Sequence, residues 1–303
     1  MRIATRKSAL ALWQAEFVAA RLGVVCELVV IETHADQRLD IPIWEMGGKG
    51  VFVKEIQAAL LDGRADLAVH SGKDLPAVSP DELEIGAVPL RADPRDVLVG
   101  HAPLASLPES ATIATGSVRR KAQLANLRPD LRFEGLRGNI ATRLDKVPPG
   151  GAIVMAAAAL DRLGLMASLH AQGLIADTIP TDVMLPQVAQ GALVVERRAD
   201  ASPQLVAAVA AIEDPPSRRA VEIERSFLRE LGGDCNLPAG CFATVQADGA
   251  IDVRGLLAAL DGSTILRHQL TDVERPDVTH IGAHLARHLL DHGGADLLAR
   301  SPS

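Results

Sequence analysis

The sequence predicts an α/β protein of two lobes followed by a small C-terminal α+β domain, and three observations support this. Its 303 residues allow about two domains at roughly 150 residues each. Short apolar runs alternate with amphipathic ones through the first two thirds, the pattern of strands feeding helices in parallel or mixed sheets. From residue 213 onward the style changes to a helix, a Gly-rich loop, alternating strands with tight turns and a last helix. In order, RIA reads as a strand, and an apolar stripe at Leu10, Trp13, Phe17 and Ala20 as a helix. VVCELVVIE is strand-like, VFVKEIQAALL helical, and DLAVH a strand that ends in a loop bunching His70, Ser71, Lys73 and Asp74. The alternation resumes with TIATG, SVRRKAQLANL, LRFEGL, NIATRLDKV, GAIVMA and AALDRLGL. Polar, Pro-containing connections near Asp93 to Arg95 and Asp182 to Gln187 mark candidate lobe boundaries. Then come the helix SRRAVEIERSFLREL, the loop GGDCNLPAG, strands broken at ADGA and LDGS, and a helix from about Asp277.

Composition excludes several functions. Five Phe, two Trp and no Tyr leave little with which to stack bases, so single-stranded nucleic-acid binding is disfavoured. A net charge of −7 also argues against a dedicated polyanion or membrane-surface protein. Yet from Ser117 to Lys146 the chain is +5, which leaves −12 for the remainder. No run approaches the roughly 18 apolar residues of a spanning helix, and the N-terminus lacks an export signal, so a soluble, cytoplasmic protein is expected. Three cysteines, Cys26, Cys235 and Cys241, are too few for a disulfide framework.

The basic and hydroxyl residues cluster where strands give way to helices. Thr5-Arg6-Lys7-Ser8, Thr115 to Arg120 and Arg137-Gly138-Asn139 sit at three such junctions, where unpaired N–H groups and the positive dipole end attract anions. Arg binds carboxylates bidentately, so this set suits several fixed carboxylates or phosphates; the plainer alternative is a solvated helix face. Gly47 to Gly50 lacks the spacing of a nucleotide phosphate loop. Asp74 beside Lys73 is either a solvated ion pair or a catalytic carboxylate. His280, His284, His288 and His292 recur every four residues, but with Ile281, Leu285 and Leu289 forming the buried stripe they read as a solvated face needing no metal. Cys235 stands in the Gly-rich loop as an accessible thiol, whereas Cys26 and Cys241 belong to apolar strands.

Six segments taken together, RIATRKSALALWQA, GGKGVFVKEIQAALLDGRADLAVHSGKDLP, ATGSVRRKAQLANLRPDLRFEGLRGNIATRL, AAAALDRLGL, LPQVAQGALVVERR and GGDCNLPAG, closely resemble the porphobilinogen deaminases, or hydroxymethylbilane synthases, in order along essentially the whole chain. The resemblance implies two lobes like those of type II periplasmic binding proteins, the chain crossing back to the first, and a third domain with a reactive Cys. It divides the chain into 1–94 with 191–212, 95–190, and 213–303.

It implies a transferase of tetrapyrrole and heme biosynthesis, a monomer, that deaminates four porphobilinogen molecules and joins them head to tail on a dipyrromethane primer held by a thioether at Cys235. Hydrolysis then releases hydroxymethylbilane. Asp74 matches the catalytic carboxylate that stabilises the cationic azafulvene left as ammonia departs. Lys73, Thr115, Ser117, Arg119, Arg120 and Arg143 match cofactor-binding positions, and Arg6, Ser8, Arg137, Arg162 and Gln190 substrate-binding ones. Each pyrrole brings an acetate and a propionate, which gives the +5 stretch a polycarboxylate partner rather than nucleic acid.

The chain departs from the common pattern at Glu45, Gly72 (usually Met), Gly116 (usually Ser), Ala141 (usually Gly), Ala189 (usually Gly) and Asp234. A noncatalytic anion-binding protein on the same scaffold is the rival these departures suggest; the GGDCNLPAG loop and the missing export signal count against it.

Overall fold

The computed structural model describes residues 1–33, 53–233, 237–271 and 279–299. The first lobe opens with β1 (Arg2–Arg6), α1 (Ala9–Leu22), β2 (Glu27–Ile31), α2 (Lys54–Leu61), β3 (Leu67–Ser71) and β4 (Leu83–Ala87). The second holds β5 (Asp96–Gly100), β6 (Thr112–Ala114), α3 (Val118–Leu127), β7 (Arg132–Glu134), α4 (Ile140–Leu144), β8 (Ala152–Ala156), α5 (Ala157–Arg162), α6 (Met166–Ala171) and β9 (Ile175–Ile179). Then follow β10 (Leu193–Arg198), α7 (Pro203–Ala210), α8 (Pro215–Glu230), β11 (Ala239–Val245), β12 (Ile251–Ala258), β13 (Ile265–Leu270) and α9 (Thr279–Leu289).

Among the described residues these strands form three sheets, ordered β2-β1-β3-β10-β4, β7-β6-β8-β5-β9 and β11-β12-β13. The two larger sheets share one plan. Each has a parallel trio, then an antiparallel strand, then an edge strand antiparallel to that one. The antiparallel strand in each, β10 or β5, directly follows the last strand of the other lobe, so the chain crosses between lobes twice. Apolar side chains cover both faces of each sheet, which is why DLAVH, DVLVG and AIVMA read as continuous apolar runs without alternation.

Beyond residue 213, Asp214 caps α8 by accepting from the Ser217 N–H at 3.0 Å. The helix buries Ala220, Val221, Ile223, Phe227 and Leu228 against the antiparallel sheet and α9. This unit docks on the second lobe through Asn126 Nδ2 to the Gly262 carbonyl, 2.9 Å, and Arg254 to Thr181 Oγ1, 2.8 Å. Toward the first lobe, the Arg91 guanidinium reaches Glu224 of α8 at 2.6 and 3.1 Å.

Two local expectations need correction. Helix α1 buries Gln14, Ala15, Val18 and Leu22, not the stripe Leu10, Trp13, Phe17 and Ala20. The helix is apolar nearly all round, so periodicity could not choose a face; Phe17 instead lies stacked on Trp13 at 5.0 Å with Arg21 over its ring. His70 and Ser71 belong to β3 rather than to a loop, and His70 is buried. The histidine face of α9 is exposed at His280 and His284, as expected, and its far end also forms a stack. His268 of β13 lies 3.7 Å from His288, which lies 4.1 Å from His292.

Candidate active site

Three junctions that sequence singled out are helix starts. Ser8 Oγ accepts the Ala11 N–H at 3.2 Å, Ser117 Oγ the Arg120 N–H at 3.4 Å, and Asn139 Oδ1 the Thr142 N–H at 3.0 Å. These side-chain oxygens satisfy donors that the first turn leaves unpaired. Thr115 Oγ1 in turn accepts the Ser117 N–H at 3.2 Å.

Lys73 and Asp74 lie on a single 3-10 turn, Gly72–Asp74, at the end of β3. The turn is pinned by backbone bonds, Gly72 N–H to Ala192 O at 2.9 Å and Leu75 N–H to Gly72 O at 3.3 Å. A cavity beside it is lined by Arg6, Gln14, His70, Ser71 and Asp74, with apolar residues from α1 and α2. Charges from the second lobe meet this turn. Arg143 interacts electrostatically with Asp74, Arg120 and Arg137, and Lys73 with Arg120, Asp74, Asp96 and Arg119. Arg143 is oriented by its Nε bond to Gly138 O at 2.7 Å. Arg137 Nη1 is buried with no hydrogen-bond partner among the described residues.

Asp96, which sequence reading missed, divides the basic set. Its carboxylate is fully buried and takes Arg119 at 2.8 Å and Arg120 at 2.7 Å. Burial opposes its charge, but the two guanidiniums outweigh that and hold the carboxyl far below its ordinary value. Arg119 also donates to Leu185 O at 2.7 Å and Arg120 to Val154 O at 2.9 Å. The pair therefore presents one net positive charge rather than two. Gln190, fully buried, donates to Asp96 Oδ1 at 2.9 Å and Pro94 O at 2.7 Å, tying both crossings together. Arg162 donates to Gly191 O at 2.7 Å and stands 5.7 Å over Trp13 of α1. Arg162 and Gln190 thus both make their hydrogen bonds at the crossover. Gln14, also missed, is a buried polar residue on an apolar helix whose Nε2 has no hydrogen-bond partner among the described residues. Cys235, with Glu45 and Asp234, lies outside the described residues.

Family comparison adds to this geometry. A model described as "Porphobilinogen deaminase, dipyromethane cofactor binding domain" matches residues 1–205, and its C-terminal counterpart matches residues 219–291. The chain belongs to the porphobilinogen deaminase family. It is 45% identical over 309 residues to a porphobilinogen deaminase of Nitratidesulfovibrio vulgaris, covering 98% of this chain and 95% of that protein. Relatives of the same name from Syntrophus aciditrophicus (45%, 98% of this chain and 97% of that one) and Moorella thermoacetica (45%, 98% and 95%) match similarly. Among solved structures, the GluR0 ligand-binding core from Nostoc punctiforme aligns at a TM-score of 0.38 and 14% identity, over 77% of this chain and 94% of that one.

Two departures from the deaminase pattern meet in space. A Cβ built on Gly72 would fall 2.9 Å from the Ala189 Cβ and 3.1 Å from its carbonyl, so the Ala189 methyl fills the room a side chain at 72 would need. Ala189 itself holds φ 55°, a left-handed conformation costing roughly 1–2 kcal/mol for a residue with a Cβ. Gly72→Ala alone is expected to destabilise by about 1–3 kcal/mol through overpacking. Ala189→Gly alone should be nearly neutral, because relief of strain offsets the lost methyl. In the double variant the part of the Gly72→Ala cost due to the methyl should vanish, while the approaches to the Ala189 and Ala192 carbonyls at 3.1 and 3.3 Å remain. Chemical denaturation of the four proteins checks this, and additive effects would show that the two positions are independent.

Loss of hydration, with Arg120 nearby, lowers the Lys73 ammonium to about 8. The unfolded chain keeps its proton to about 10.5, so the contribution of Lys73 to stability becomes more favourable as pH rises between those values. A carboxylate held by Lys73 would be gripped at pH 7 and released as pH passes 8, so activity should decline above pH 8, and Lys73→Arg should abolish that limb.

Proposed function

We propose that this chain deaminates porphobilinogen and joins the units head to tail on a dipyrromethane primer, releasing hydroxymethylbilane by hydrolysis. The observation that carries this reading is a carboxylate, Asp74, set on a pinned turn between cations of both lobes, within a chain of the porphobilinogen deaminase family. The residues fit a polycarboxylate cofactor. Lys73 and Arg143 supply charge and donors for its acetate and propionate groups. Thr115 and Ser117 add a hydroxyl-lined helix start, and Arg119 and Arg120 add one net charge behind it. When bound through a thioether at Cys235, the cofactor supplies the pyrrole carbon to which the first unit is joined.

Arg6 and Ser8, at the first helix start, hold the carboxylates of the incoming porphobilinogen together with Arg137, whose Nη1 is buried and unpartnered among the described residues. As the aminomethyl C–N bond breaks and ammonia leaves, positive charge develops over the substrate's pyrrole ring. The Asp74 carboxylate faces that charge and accepts from the ring N–H, a fixed anion where a cation forms. Arg162 and Gln190 complete the substrate-binding set from the crossings, where they hydrogen-bond Gly191 O and Asp96 with Pro94 O. The division into 1–94 with 191–212, 95–190 and 213–303 assigns substrate handling to the lobes and primer attachment to the last unit. The same reading makes the protein a cytoplasmic monomer. Incubation with porphobilinogen tests it: one ammonia should appear per porphobilinogen consumed, with a linear tetrapyrrole as product. Binding without ammonia release would instead identify an anion-binding protein.

A further inference from the structure

Beneath the Asp74 turn lies a buried polar network whose members the mechanism above does not use. Glu196 of β10 is fully buried, and its Oε2 lies 2.9 Å from Nε2 of His70, itself 5% exposed. Strand β10 pairs with β3 so that Val194 stands opposite His70, which puts Glu196 two residues along, on the same face. Gln57 of α2 donates to both Glu196 oxygens at 3.0 and 3.1 Å, and Ser79 donates to Oε1 at 3.0 Å. Burial opposes the charge on Glu196, but the His70, Gln57 and Ser79 bonds prevail and hold its carboxyl below the ordinary value. On the other side stands Arg225 of α8, buried and within electrostatic reach of Glu196. Its guanidinium donates to Leu75 O at 3.4 Å and Ala77 O at 3.3 Å.

The network brackets Asp74 in the chain. His70 precedes the turn and lines the same cavity as Asp74, while Leu75 and Ala77 follow it. A buried ionic cluster is weak ground for stability, since apolar packing of equal volume is often as good. Its effect on position is larger, because displacement of a reacting group by about 1 Å can cost on the order of 100-fold in rate.

We propose that Glu196 is a positioning residue for the deaminase reaction: acting through His70 before the turn and Arg225 after it, its carboxylate fixes where Asp74 sits in the cavity. The inference rests on the deaminase reading of that cavity. Glu196→Gln keeps the shape and removes the charge. Its kcat per folded molecule should fall about tenfold or more with KM within about twofold, and hydrogen exchange of the 71–77 amides should quicken while that of β8 stays unchanged. A role in stability alone would lower the melting temperature and leave kcat of the folded fraction intact. Wild-type kcat in Glu196→Gln, or unaltered exchange over 71–77, overturns the proposal. If Glu196→Gln does not fold, Arg225→Lys, which keeps the charge but loses the forked donor, should show the same kcat loss and local exchange. Wild-type values for both would overturn it equally. The exchange measurement needs no turnover, so a wild type that releases no ammonia would sink the deaminase reading while 71–77 still decides this one.

Discussion

Asp74→Asn is expected to slow ammonia release by about 100- to 1,000-fold, the scale of removing one preorganised electrostatic partner of a transition state. The turn that carries Asp74 is held by Gly72 N–H to Ala192 O and Leu75 N–H to Gly72 O, bonds that do not involve its side chain. The fold should therefore survive, with a melting temperature within a few degrees of wild type. Substrate affinity should also persist, because removing an anion near Lys73 and Arg143 leaves the carboxylate-binding charges in place. Steady-state kinetics beside a thermal melt separate these effects. A kcat within threefold of wild type would remove Asp74 from the chemistry.

Cys235→Ser should lose turnover altogether, because no primer attaches. The other thiols cannot replace it. Cys241 is fully buried, and burial, with Glu224 nearby, pushes its thiol well above the ordinary value. Cys26 is only partly buried, yet burial raises its thiol as well. The nucleophile is the thiolate, so both are poor acceptors of a pyrrole at neutral pH. Cys26→Ser should accordingly keep full activity and a pyrrole that stays with the chain through denaturing gel filtration, while Cys235→Ser shows neither. A pigmented, active Cys235→Ser protein would refute the attachment site.

Much of the fold was legible because both larger sheets are covered on two faces, so their strands read as unbroken apolar runs between amphipathic helices. The partners of β5 and β10 were not: β5 pairs with β8 and β9 much later in its own lobe, β10 returns to β3 and β4 of the first lobe, and strand pairing at such range leaves no local trace. Helix α1 misled because its apolar residues surround it, and the polar Gln14 at its core was hidden among them. At the site, the basic residues were visible as a charge excess, but their division was not. Asp96 sits at the head of an apolar strand, and only the folded chain brings it to Arg119 and Arg120. The same holds for Glu196, which meets His70 only because the returning strand lies beside β3. The Gly72 and Ala189 departures looked unrelated in sequence and prove to be neighbours sharing one volume.

A covalent primer on a carboxylate-binding deaminase can be read from the intact mass of the purified chain. That mass should exceed the mass of the sequence by two linked pyrrole units and rise by single pyrrole units on brief exposure to porphobilinogen. A chain at the mass of its sequence alone that still releases ammonia from porphobilinogen would contradict the covalent primer.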